Sequence, residues 1–133
     1  EEAKRRRVDV TPFRDYVELA LSRGGPEARE LALSLVEAAA VVPRDLIVYA
    51  LAEASKMGRA SGTLVDKYVQ YVGDAEALYK ACGEACRDVV VEVALAAAAR
   101  ARGYEALRQL EVALTAAGYG RLVEKYRPHQ FCT

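Results

Sequence analysis

Cysteine and histidine are the residue types whose spacing in this 133-residue chain could support metal chemistry. Cys82 and Cys86 stand four residues apart, His129 and Cys132 lie near the C-terminus, and no other Cys or His is present. Three thiolates and one imidazole form a common tetrahedral zinc set, so these four residues are a zinc candidate. Free cysteines on the apolar face of a helix also serve as small core residues. The core role is our expectation for Cys82 and Cys86, and no metal or cofactor is expected.

The pairing of the cysteines and the role of the histidine follow from their positions. A disulfide between Cys82 and Cys86 is awkward in a regular helix, because the two Cβ vectors point in parallel. A bond from Cys132 to one of them is the expected alternative. His129 is preceded by no nucleophile motif, and a histidine so close to a terminus is expected to be exposed. No catalytic residue is assigned, and the chain is predicted not to be an enzyme.

Charge and composition exclude several classes of function. The chain has 19 basic and 19 acidic residues, whereas a general polyanion binder depends on an excess of Lys and Arg. The run Lys4, Arg5, Arg6 and Arg7 is the one candidate nucleic-acid arm. The nearly uncharged stretch 93–99 is far shorter than the ~20 apolar residues of a membrane span. The absence of Asn, the presence of only three Gln and the many charged residues indicate a hyperthermophilic source. A cytoplasmic location is expected.

Helices are the elements that must position all of these residues. Apolar residues recur at helical spacing throughout the chain, and Pro and Gly separate the segments. We predict an all-α fold, an antiparallel up-and-down bundle of about six or seven helices, because connections of two to four residues join antiparallel neighbours. Residues 1–133 are predicted to form a single helical domain, with a flexible basic arm at 1–10 and a flexible tail at 128–133.

The longest predicted helix runs from Ala75 to about Arg102, and Gly83 is its one internal weak point. Asp74 is its predicted N-cap. Its predicted core stripe contains Leu78, Cys82, Cys86, Val89, Val93 and Ala96 or Ala97. In the following helix the predicted core residues are Leu107, Leu110, Leu114 and Ala117. Further apolar positions exceed what one small core needs and predict a partner interface: Val48, Tyr49, Ala52, Val90, Val91, Ala94 and Leu95.

The segment from Leu64 to Tyr104 resembles a known family. It contains KYVQYVGD at 67–74, LYKA at 78–81 and EA at 84–85. These strings resemble the crenarchaeal PaREP proteins, which are in turn similar to HEPN domains, helical bundles that often accompany nucleotidyltransferases or act as ribonucleases. Catalytic HEPN members carry Arg, four to six residues, then His. Upstream of His129 the required positions hold Leu122, Val123 and Glu124, so that motif is absent.

Two functions follow as expectations. The first is a non-catalytic protein-interaction or self-association module, a homodimer or a partner of another protein. The alternative is a HEPN-like module that binds nucleotides or RNA, for which the arm Lys4–Arg7 would contact phosphates.

Overall fold

A computed structural model of the chain describes residues 8–121 and 123–124. Every regular element in that part of the chain is a helix, which confirms the all-α prediction. The α-helices, in chain order, are α1 (Arg14–Arg23), α2 (Pro26–Ala38), α3 (Arg44–Lys56), α4 (Gly62–Tyr71), α5 (Ala75–Cys82), α6 (Arg87–Arg100) and α7 (Tyr104–Leu114). Two 3-10 turns, Thr11–Phe13 and Gly83–Cys86, and a π-helical turn, Thr115–Tyr119, complete them. Within the described residues no helix combines the length and the apolar character that crossing a membrane requires.

The chain divides into two compact units, Glu1–Val72 and Gly73–Thr133. The first contains α1 to α4, and the second contains α5 to α7. The expectation of one domain over 1–133 stays a prediction, and the units are described one at a time.

The first unit begins with a short extended segment in place of a free arm. Val10 donates its amide hydrogen to the carbonyl of Val41 at 2.9 Å, and its side chain is fully buried. This corrects the prediction of a flexible arm over 1–10 for residues 8–10; residues 1–7 lie outside the described part. The amide of Thr11 donates to the carboxylate of Asp9 at 2.8 Å. A hydrogen bond from the Thr11 side chain and this backbone bond lower the pKa of Asp9.

Helices α1 to α4 pack against one another around an aliphatic core. Buried residues recur at helical spacing along α3 and α4, and Tyr68 of α4 is completely buried. The fully buried large side chains of this unit are Val10, Leu21, Val36, Leu46, Ile47, Leu51, Leu64 and Tyr68.

Basic side chains from neighbouring helices bind the last carbonyl groups of three helices in this unit. Arg29 of α2 donates to the carbonyl of Gly24, which ends α1, at 2.9 Å. Lys67 of α4 donates to the end of α2, at 2.8 Å from the carbonyl of Val36. Arg44 of α3 donates to the carbonyl of Val72 after α4, at 3.2 Å. These orphan carbonyls carry the negative end of the helix dipole, so the cations both satisfy and neutralise them.

The second unit begins at the predicted cap. The carboxylate of Asp74 accepts hydrogen bonds from the amides of Glu76 at 3.1 Å and Ala77 at 3.4 Å, which confirms it as the N-cap of α5. The predicted single rod over 75–102 is wrong, because α5 ends at Cys82 and α6 begins at Arg87.

The predicted core stripe of α5 and α6 is largely buried. Leu78, Cys86, Val93 and Ala97 of that stripe are buried, whereas Cys82 and Val89 are only half-buried. Val90 and Ala94 are buried as well, so the covered face of α6 is wider than the predicted stripe.

Candidate functional site

Helix α7 has two apolar faces, and in the described part of the chain only one of them is buried. Gln109, Ala113 and Ala116 are buried, and α7 packs against α6. Leu107, Leu110 and Leu114 are 40, 42 and 39% exposed. At about 100° per residue, these three leucines lie roughly 100–160° around the helix from Gln109. We name Leu107, Leu110 and Leu114 the leucine stripe.

The leucine stripe is the reverse of the sequence prediction, which placed these leucines in the core. Helix α6 is rich in Ala, and Ala94 and Ala97 are buried in the unit. Two helices approach most closely where both present small side chains. Ala113 of α7 and Ala116 of the π-helical turn therefore occupy the buried face, and the longer leucines are left beside it.

The stripe has the spacing of a helix-pairing seam. Its members stand at i, i+3 and i+7, and Ala117, which is also exposed, extends the series to i+10. Such a 3–4 alternation keeps side chains along one line of a helix, as in coiled coils. Tyr104, 72% exposed, precedes the stripe, and Leu95 of α6 is a further exposed leucine of this unit.

Gln109 is a buried polar group on the covered face of α7. It is 2% exposed, and its Nε2 donates to the Oε1 of Glu105 at 3.0 Å. Among the described residues its own Oε1 has no hydrogen-bond partner. A buried acceptor without a partner is destabilising, because it has lost its hydrogen bonds to water.

Most residues predicted to form a partner interface are covered by their own chain. Ala52, Val90 and Ala94 are buried, and Val48, Tyr49 and Val91 are half-buried. Of the predicted set only Leu95 is exposed. The periodicity that suggested surplus apolar surface on α6 reflects a helix that packs on more than one side.

The first unit also exposes apolar side chains, but in a different arrangement. Phe13, Tyr16 and Leu19 stand at i, i+3 and i+6, a spacing that winds around the helix instead of following one line. Two charged residues between them, Arg14 and Glu18, form an ion pair at 3.3 Å. This surface is therefore interrupted by charge.

A cleft of about 470 Å³ lies beside this surface. It is lined by Asp15, Glu18, Leu19, Ser22, Arg23 and Tyr49. Its serine hydroxyl, Ser22, donates to the carbonyl of Leu19 in its own helix at 3.4 Å rather than to a base. Ser22 is therefore not arranged as an activated nucleophile.

The cysteines form a bond that the sequence analysis disfavoured. Cys82 and Cys86 are joined by a disulfide with a Cα–Cα distance of 5.6 Å. The prediction of a bond from Cys132 to one of them is therefore wrong. The assumption of a regular helix fails here, because Gly83 has φ +64° and redirects the chain between the two cysteines.

The disulfide bears on the zinc candidate. Disulfide sulfurs are not thiolates, so in this state Cys82 and Cys86 cannot act as the expected zinc ligands. His129 and Cys132 lie outside the described residues. Within the described part, no three His, Cys, Asp or Glu side chains cluster as metal ligands would.

Polar contacts cross the turn that contains the disulfide. The hydroxyl of Tyr79 donates to the Oε1 of Glu84 at 3.2 Å, and Arg87 forms an ion pair with the same carboxylate. The bond to Glu84 raises the pKa of Tyr79, because the carboxylate stabilises the neutral phenol. Glu84 therefore connects the last turn of α5 to the first residue of α6.

Comparison with protein-family models, with curated proteins and with solved structures finds no match to this chain. The resemblance to PaREP and HEPN proteins stays a prediction. The arm Lys4, Arg5, Arg6 and Arg7 and the tail at 128–133 lie outside the described residues.

Proposed function

We propose that this chain is a self-association module and that two copies meet through the leucine stripe of α7. The observation that carries the proposal is the row of three leucines, each about two-fifths exposed, on a helix whose other apolar face is already covered. Contiguous apolar surface of this kind is typical of protein interaction sites.

The chemistry of the stripe favours a second copy over a charged partner. A row of leucines at 3–4 spacing is complementary to itself, which suits the two-fold symmetric contact of a homodimer. The chain carries 19 basic and 19 acidic residues, so two copies have no net charge with which to repel one another. A polyanion or a strongly acidic partner would find no excess of positive charge.

The size of the exposed apolar surface sets the expected affinity between two copies. The stripe, Tyr104 and Leu95 together offer a few hundred Å², compared with about 800 Å² per partner in a standard stable interface. The half-covered leucines each gain only part of the ~1.5–3 kcal/mol of full burial. We therefore expect a reversible dimer with a dissociation constant in the micromolar range.

Sedimentation velocity over a concentration series tests the proposal. The wild-type chain should change from monomer to dimer as its concentration rises through the micromolar range, and Leu110→Glu should stay monomeric throughout. Leu31→Glu is the matched control, because Leu31 is a leucine of α2 that is 72% exposed and lies in the other unit. It should dimerise like the wild type. A wild-type monomer at every concentration, or a Leu110→Glu variant that dimerises normally, would refute the proposal.

Three finer expectations belong with this proposal. The first is that successive helices run antiparallel, as in an up-and-down bundle of about six or seven helices. The protein is cytoplasmic, and its source is a hyperthermophilic archaeon. The scarcity of amide side chains supports the source, and intracellular proteins of such organisms also tolerate disulfides like Cys82–Cys86.

The nucleic-acid alternative rests on the HEPN-like resemblance and on the arm Lys4–Arg7. Retention of RNA that weakens with salt, and that is lost when residues 1–7 are deleted, would favour it over self-association alone. Absence of retention at about 50 mM salt, where phosphate contacts are strongest, would reject it.

A further inference from the structure

The turn between α5 and α6 interrupts a sequence that otherwise favours one helix. No Pro occurs between Ala75 and Arg100, and Ala81, Glu84 and Ala85 are good helix formers. Gly83 is the weak residue: inside a helix it costs about 1 kcal/mol relative to Ala, and here, at φ +64°, it is the C-cap of α5. The position of the break coincides with the disulfide, which spans it from Cys82 to Cys86.

A continuous helix and this disulfide exclude each other. Side chains at i and i+4 of an α-helix have Cβ atoms about 5–6 Å apart. A disulfide requires Cβ atoms about 3.5–4.5 Å apart. The chain meets that requirement by placing Gly83 at φ +64° and tightening residues 83–86 into a 3-10 turn.

We propose that Cys82 and Cys86 form a redox switch between two shapes of the second unit. In the oxidised protein the disulfide holds the turn. In the reduced protein residues 83–86 adopt helical geometry and join α5 to α6.

The exchange uses a dithiol as the reductant and starts at the more accessible sulfur. Cys82 is half-buried, whereas Cys86 is 1% exposed. A thiolate of the dithiol attacks Sγ of Cys82, the Cys82–Cys86 bond breaks, and Cys86 leaves as a thiolate. The second thiolate of the dithiol then displaces Cys82 from the mixed disulfide. The dithiol gives up two electrons and two protons and becomes a disulfide, and the two cysteines take up both protons.

The position of Cys86 suits it to be the leaving group. It is the N-cap residue of α6, a helix of 14 residues. The positive end of a helix dipole stabilises a thiolate at this position, and a more stable thiolate leaves faster.

One side-chain contact belongs to the oxidised shape alone. Tyr79 and Glu84 are five residues apart and hydrogen-bonded at 3.2 Å. Helical neighbours are three or four residues apart, so this bond is incompatible with a continuous helix. The switch therefore breaks it on reduction.

Gly83→Ala tests the coupling between the helix and the disulfide. Alanine disfavours the positive φ of the oxidised turn and favours the helix of the reduced form, each by about fivefold or more. We expect the equilibrium with a dithiol such as dithiothreitol to shift at least tenfold toward the reduced protein. That shift equals a reduction potential about 30 mV more positive. Alkylation and mass spectrometry measure it, in a Cys132→Ser background where only one pair of thiols titrates.

Gly103→Ala is the matched control. Gly103 has φ +63° and ψ −133°, close to the +64° and −141° of Gly83, and both positions leave open space for a Cβ atom. It lies outside the segment between the cysteines, so its substitution should leave the equilibrium within about twofold of that of the parent. Equal potentials for Gly83→Ala and its parent, or equal shifts in both variants, would overturn the proposal.

Direct observation of the reduced shape does not depend on those variants. The backbone chemical shifts of residues 83–86 should become helical on reduction of the full chain. The double variant Cys82→Ser, Cys86→Ser should show the same helical shifts without any reductant. Shifts that keep the pattern of the oxidised turn in both samples would show that the disulfide does not control the turn, and the switch would be rejected.

Discussion

Lys67 provides the sharpest test of how the first unit holds its helices together. Its ammonium reaches the C-terminus of α2 and donates to three carbonyls: those of Val36 at 2.8 Å, Glu37 at 3.2 Å, and Ala39. Burial lowers the pKa of Lys67, and the nearby carboxylate of Glu37 opposes that shift. The substitution Lys67→Met keeps the apolar stem and removes only the charged donor.

The expected loss follows from these contacts. A hydrogen bond to a charged group contributes about 1.5–3 kcal/mol, and a cation at a helix C-terminus adds about 0.3–1 kcal/mol. Water can replace part of the lost hydrogen bonding at a half-buried site, and the cost of desolvating the ammonium offsets a further part of the stabilisation. We therefore expect Lys67→Met to lower the free energy of unfolding by about 2 kcal/mol.

Urea unfolding monitored by circular dichroism measures this loss. With a slope of about 2 kcal/mol per molar urea, the midpoint should fall by about 1 M. Lys56→Met is the control, because Lys56 is an exposed lysine that forms an ion pair with Glu53, three residues earlier, at 3.1 Å. Lys56→Met should lower the free energy of unfolding by less than about 0.5 kcal/mol. Equal midpoints for Lys67→Met and the wild type would refute the capping role.

Three further predictions concern single positions. Gln109→Leu should raise the free energy of unfolding by about 1 kcal/mol, since it removes the unpaired buried acceptor; a loss of stability in a thermal melt would contradict this. Gly24→Ala should lower stability by about 1–3 kcal/mol, because its Cβ would lie 2.4 Å from a backbone oxygen, whereas Gly25→Ala, with open space, should stay within about 1 kcal/mol of wild type. Hydrogen bonds from Lys80 and Arg108 lower the pKa of Glu76. Its ion pairs therefore stabilise the fold at any pH above the ordinary carboxyl pKa of about 4.3. That stabilisation is lost as the pH falls through the lowered pKa of Glu76. The stabilities of Glu76→Gln and wild type should therefore differ at pH 7 and converge in acid, and a constant difference would refute the assignment.

Local signals in the sequence predict the helices well. Pro26 begins α2, Asp74 caps α5, and both act within the first turn of their helices. Such signals depend only on neighbouring residues, so they can be read without a structure. Helix α4 can be predicted in the same way, because its buried residues Leu64, Val65, Tyr68 and Val69 recur at helical spacing.

The candidate site could not be predicted in the same way. The leucine stripe has the apolar spacing of a core face, and nothing in the spacing reveals that the Ala residues of α6 and α7 would take the buried side. The break at Gly83 depends on a covalent bond between side chains, which overrides the helix propensity of the residues around it. Gln109 lies on the face that is buried, so hydrophobicity alone did not decide which face of α7 is covered.

Leucine methyl NMR during dilution of the wild-type chain tests the self-association most directly. If the stripe joins two copies, the methyl signals of Leu107, Leu110 and Leu114 will shift with concentration through the micromolar range, while those of Leu31 stay fixed. Concentration-independent signals from all three stripe leucines, or shifts confined to Leu19 and Leu31, would contradict the interface.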